Sequence, residues 1–234
     1  MEYRYLGNTG MKVSVLGLGN MLTNYDQAGE DAQNEIVKVA LDAGVNFFDT
    51  AEMYGFGAGE SMLGRMIKKF ELRRQDIVIT NKIFMAGMPG VVAPTRLGLS
   101  RKHIIEATLD GLEKMDQEYV DVIFAHRPDF ETPLEETCRA FNWIIEQGKA
   151  LYWGTSEWDP ERLTKAIDLC DRKGWHRPVC DQSEYSCLSR KRFEEDQRPL
   201  YEDFKLGTTT WSPLAFGLLS GKYNSDEIPE DSRF

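Results

Sequence analysis

Seven short apolar or β-branched runs recur along the chain, each separated from the next by a stretch with helical spacing. They read VSVLGLG, VNFFDT, IVITNKIF, VDVIFAH, LYWGTS, VCDQSEY and GTTTWSP. Strand–helix alternation of this kind requires a parallel sheet whose strands are joined by right-handed helical crossovers. Two architectures satisfy it, the closed barrel and the open doubly wound sheet. The open sheet needs a glycine fingerprint at its first turn, and Gly17-Leu18-Gly19-Asn20-Met21-Leu22 puts Leu22 where the third glycine must let helix and strand pack closely. The closed alternative is a (β/α)8 TIM barrel in one domain, residues 1–234. Eight units typically take ~250 residues, and only seven strands are found before Phe234. The expectation is therefore an incomplete barrel without its eighth βα unit, leaving the first and seventh strands as edges.

Ahead of the alternation, two β-leaning stretches flank Asn8-Thr9-Gly10 and predict a short hairpin, since Asn and Gly tolerate tight-turn backbone. Helix starts are marked by Ser100, by Asp159-Pro160 and by Thr132-Pro133-Leu134-Glu135, which reads as a capping box with proline at the first helical position. Gly174 marks a stop.

A formal charge of −10 disfavours a nucleic-acid binder, whose affinity comes from clustered cations. Cys138, Cys170, Cys180 and Cys187 form no C-x-x-C pair, so neither a zinc site nor a disulfide framework is expected. No apolar run approaches the ~18 to 20 residues of a membrane span, and the N-terminus lacks signal-peptide character. The expected setting is a reducing cytoplasm, with no membrane insertion.

Four polar residues fall at or just beyond the C-terminal ends of strand candidates, where barrel active sites are built: Asp49, Tyr54 five residues later, Lys82 and His126. Together they suit reduction of a carbonyl. A phenol of reference pKa ~10 is a weak acid unless a neighbouring ammonium stabilises its phenolate. Lys82 can do this for Tyr54, Asp49 can keep Lys82 charged and oriented, and a neutral His126 can hydrogen-bond the carbonyl oxygen.

FFDTAEMYGFGAGESMLG resembles the aldo-keto reductase signature, in which an aspartate and the catalytic tyrosine lie five apart. VITNKIF matches that family's lysine strand, YVDVIFAHRPD takes the place of its histidine strand, and LYWGTSEW and DQSEY resemble the strands that hold the nicotinamide carboxamide. LGLSRKHII and TTWSPLAFGLLSGKY are most similar to the β subunits of voltage-gated potassium channels. The resemblance implies an NADP(H)-dependent reductase of small aldehydes or ketones. It also implies an alternative, a redox-responsive channel-subunit-like partner that assembles as a tetramer; a further alternative is an inactive truncated reductase.

By the same resemblance Trp211 stacks on the nicotinamide, Ser156 and Gln182 bind its carboxamide, and the loop from Ser212 to Lys222, with Pro213, Leu214, Gly217 and Ser220, covers the pyrophosphate. Asn20 and Met21, at the end of the first strand, and Asp49 line the nicotinamide. Lys222 and Arg233 are the local cations for a 2′-phosphate, whose other partners in the family lie on the eighth unit. A nucleotide P-loop is excluded there, because Phe216 and Tyr223 stand where glycine and Ser or Thr are needed. Three departures stand out. His126 replaces the asparagine usual in channel subunits and favours catalysis, Asn20-Met21 replace a Thr-Trp pair, and Glu157 replaces an arginine, placing a carboxylate near an anionic cofactor.

Overall fold

The computed structural model describes residues 1–21, 24–88 and 90–224. Strands β1 (Tyr3–Tyr5) and β2 (Lys12–Ser14) form the expected antiparallel hairpin. Seven parallel strands follow in sequence order: β3 (Gly17–Gly19), β4 (Phe47–Asp49), β5 (Val78–Ile83), β6 (Val120–Ala125), β7 (Ala150–Ser156), β8 (Cys180–Glu184) and β9 (Gly207–Trp211). Helices α1 (Gln27–Asp42), α2 (Ala58–Lys69), α3 (Arg101–Met115), α4 (Leu134–Glu146), α5 (Pro160–Lys173) and α6 (Arg198–Phe204) connect them. The run VSVLGLG is therefore not one strand. Its first half completes the hairpin, and only Gly17–Gly19 joins the parallel sheet.

The sheet curls on itself. Asp49 of β4 and Gln182 of β8 are four strands apart in the sheet, yet Gln182 Nε2 donates to Asp49 Oδ1 at 3.3 Å across the concave side. Alternation along each strand separates two apolar layers. Outward residues such as Phe48, Ile79, Ile123 and Trp153 pack beneath the helices, where Phe141 of α4 stacks on Trp153 at 4.8 Å. Inward residues Phe47, Val78, Val122, Phe124 and Cys180 pack with Leu6 and Val13 of the hairpin. The hairpin thus closes the bottom of the barrel. Contact there is tight enough to require glycine at Gly207, where a Cβ would lie 2.6 Å from the Gly7 nitrogen.

Two of the expected helix starts hold. Ser100 Oγ accepts from the His103 backbone N–H at 3.2 Å and Asp159 Oδ1 from that of Arg162 at 2.8 Å, while Gly174 ends α5 at φ 67°. The Thr132 capping box does not form. Thr132 Oγ1 donates instead to Asp129 Oδ2 at 2.7 Å, Glu135 pairs with Lys173, and α4 starts after Pro133 without a side-chain cap. Asp129, which also accepts the backbone N–H groups of Leu99 and Glu131, is the stronger local acceptor and takes the hydroxyl.

Candidate active site

The four residues singled out from the sequence converge at the C-terminal end of the sheet. Asp49 ends β4, Lys82 lies near the end of β5, His126 follows β6, and Tyr54 opens a 3-10 turn, Tyr54–Gly57. Lys82 is fully buried. Its ammonium pairs with Asp49 and donates to the Thr50 carbonyl at 2.8 Å and the Tyr54 hydroxyl at 3.1 Å. The Tyr54 and His126 rings meet edge to face with centroids 6.0 Å apart.

Burial works against the Lys82 charge, but Asp49 and the Tyr54 oxygen together hold its pKa above the ordinary lysine value. Burial, and then the charges of Lys82 and Arg127, push His126 well below the ordinary histidine range, so its imidazole is neutral. At Tyr54 burial and the ammonium pull in opposite directions. Lys82 does favour its phenolate, but burial outweighs the ammonium and the phenol stays above its ordinary value.

Several partners of these four residues were not anticipated from the sequence. Thr80 Oγ1 donates to Asp49 Oδ1 at 2.6 Å; period-2 alternation puts Thr80 on the Lys82 face of β5 and could have found it. Tyr25 packs on Gly55, donates to the Asn20 carbonyl at 2.7 Å, and is itself pushed up to about 12, first by burial and then by Tyr54. Buried Glu52 accepts the Phe84 N–H at 2.6 Å and meets His103 Nε2 at 3.2 Å, tying the Tyr54 turn to β5 and α3.

The residues assigned to a cofactor are spread around the same rim. Ser156 Oγ donates to the Gln182 carbonyl at 2.8 Å and accepts from Arg127 at 2.9 Å. Gln182 Nε2 donates to Asp49 and Thr209, and among the described residues its amide oxygen accepts no hydrogen bond. Trp211 ends β9, and Phe216 approaches it edge to face with ring centroids 6.5 Å apart. In the following loop Ser212, Ala215, Phe216, Gly217 and Gly221 have left-handed backbone, a conformation that turns successive amides into anion-cradling concavities. Pro213, Leu214, Ser220 and Lys222 belong to that loop, and the Lys222 ammonium lies over the Tyr223 ring at 5.0 Å. An acceptor amide, a flat indole and turned amides beside a lysine are a donor set that fits a carboxamide-bearing ring joined to an anionic bridge. Asn20 is turned away from this rim, its Nδ2 donating to the Gly59 carbonyl at 2.7 Å toward α2, and Met21 is exposed. Arg233 lies outside the described residues.

The aldo/keto reductase family profile matches residues 15–233. The chain belongs to the aldo/keto reductase family. Two relatives align over all 234 residues and 70% of their own length: a probable voltage-gated potassium channel subunit beta of Arabidopsis thaliana, 47% identical, and one of Oryza sativa subsp. japonica, 44% identical. Membership makes this an oxidoreductase-type chain, and the curled seven-stranded parallel sheet is the family's α/β barrel in incomplete form. Among the described residues no helix of this aldo/keto reductase is long and apolar enough to cross a membrane, and no cluster of His, Cys, Asp and Glu could hold a metal ion.

Proposed function

We propose that this aldo/keto reductase is a single-domain, cytoplasmic enzyme that reduces a small aldehyde or ketone with NADPH. The reading rests above all on one observation: a buried Lys82 ammonium that touches both the Asp49 carboxylate and the Tyr54 hydroxyl. A bound nicotinamide supplies the hydride; Trp211, Ser156, Gln182 and the Ser212–Lys222 loop are the residues that would hold the dinucleotide. Tyr54 gives its proton to the carbonyl oxygen as negative charge develops there. An alkoxide is a stronger base than a phenolate, so even a phenol held up by burial is acidic enough, and Lys82 takes up the phenolate charge. Asp49 keeps the ammonium aimed, with Thr80 and Gln182 holding the carboxylate. Neutral His126 presents a hydrogen-bonding nitrogen to the same oxygen and adds no positive charge beside Lys82.

The experiment is isotopic. With the transferable hydrogen of NADPH replaced by deuterium, an aromatic aldehyde should yield alcohol carrying deuterium at the carbinol carbon. NADPH consumption without that label would refute the reading.

The names of the two relatives favour a second role, as a subunit of a voltage-gated potassium channel; that this subunit assembles with itself and responds to redox state is what the family resemblance implies. His126, where channel subunits usually carry asparagine, favours turnover in this chain. Asparagine at position 126 should slow reduction and leave NADPH affinity nearly unchanged; equal turnover would favour the subunit role.

A further inference from the structure

Glu157 follows Ser156 at the end of β7, on the rim where an anionic cofactor is proposed to lie. Its backbone is left-handed, φ 58°, a conformation costly for a residue with a side chain. Its amide donates to the Gln182 carbonyl at 3.2 Å. Both oxygens of its carboxylate have partners. Oε1 accepts from the Trp211 indole Nε1–H at 2.9 Å and from the Glu184 backbone N–H at 2.7 Å, while Oε2 lies 3.3 Å from Arg192 Nε. Three neighbouring strands, β7, β8 and β9, thereby meet on one side chain. Arg192, from the π-helical turn Arg192–Asp196 after β8, balances its charge.

An indole has a single donor, so a charge-assisted bond to that donor restricts the ring to orientations that keep it. We infer that Glu157 is a positioning residue that fixes the plane of Trp211 so that the indole face meets the flat ring of a bound nicotinamide, with Arg192 cancelling the carboxylate's repulsion toward the dinucleotide. This rests on the cofactor reading above. It also resolves the difficulty of a carboxylate at this position, because Glu157 acts on the tryptophan and its charge is paired.

The test separates the two layers. The chain has five tryptophans, so nitrogen-15 labelling gives up to five indole N–H resonances, and Trp211→Phe identifies one of them. In Glu157→Ala that resonance should move and exchange faster with water while the others stay, and the NADPH Kd should rise about tenfold, the scale of one charge-assisted hydrogen bond. Glu157→Gln, which keeps an acceptor, should restore most of both signals. Arg192→Gln should leave the Trp211 resonance near its place and still weaken NADPH, because the carboxylate is then unbalanced. A Trp211 resonance indifferent to Glu157→Ala would overturn the inference, as would a moved resonance with unchanged NADPH affinity. If the unmodified protein binds no NADPH while the resonance responds as described, the Glu157–Trp211 bond is supported and the cofactor reading falls.

Discussion

Two of the three histidines are driven in opposite directions by their surroundings. Burial and the neighbouring cations Lys82 and Arg127 keep His126 neutral. His103 is buried too, but Glu52 and the Gly98 carbonyl accept from its two ring nitrogens and raise its pKa in spite of burial and Arg96. The signs follow by linkage. His126 binds fewer protons folded than unfolded, so its contribution is present above the ordinary histidine value and is lost as pH falls below about 6.5. His103 binds more when folded, and its contribution is present below that value and lost as pH rises through its raised pKa. Thermal melts across this range should show that His126→Asn is less sensitive to acid than the parent protein; equal acid sensitivity would mean that His126 is not held neutral. At this scale the sequence was informative about identity and not about environment. Asp49, Tyr54, Lys82 and His126 could be named because strand ends are where barrel chemistry gathers. The net direction of the Tyr54 shift depended on burial, and the Gln182 bond to Asp49 depended on strands 133 residues apart coming face to face.

Among the elements, the N-terminal hairpin has the most surprising role. Its turn was legible in Asn8-Thr9-Gly10, but its function as the floor of the barrel depended on Gly7 meeting Gly207 and on Leu6 and Val13 joining the inward layer. Gly207→Ala should cost about 2 kcal/mol or more, since the new methyl meets backbone that cannot yield, whereas Gly10→Ala, with nothing within 4 Å, should stay within about 0.5 kcal/mol. Denaturant melts of the two variants measure this, and equal costs would remove the hairpin from the core. Helix caps divide in the same way. Removing the Asp159 side chain should cost about 1 kcal/mol, while Thr132→Ala acts on the loop after β6 and not on the start of α4. The capping-box pattern at Thr132 misled because Asp129, three residues earlier, competes for the hydroxyl.

For the molecule as a whole, alternation of strand and helix was enough to predict a parallel sheet, Leu22 in place of the third glycine and the family resemblance turned that into a barrel, and none of these could tell how far the sheet curls. The observed order runs β3 to β9 without interruption, with β5 and β6 buried along their whole length and β3 and β9 at the two edges among the described residues. Amide hydrogen exchange should therefore be slowest in Val78–Ile83 and Val120–Ala125 and fastest in Gly17–Gly19 and Gly207–Trp211. Uniform protection would mean that something covers both edges in solution. If this scaffold brings Tyr54 to a carbonyl as its proton donor, a comparison of the parent protein with Tyr54→Phe, for NADPH affinity and for single-turnover reduction of an aromatic aldehyde, shows it. The phenylalanine variant should bind NADPH within about twofold of the parent and reduce the aldehyde at least ~100-fold more slowly. Equal reduction by both proteins, or no reduction by the parent, would contradict it.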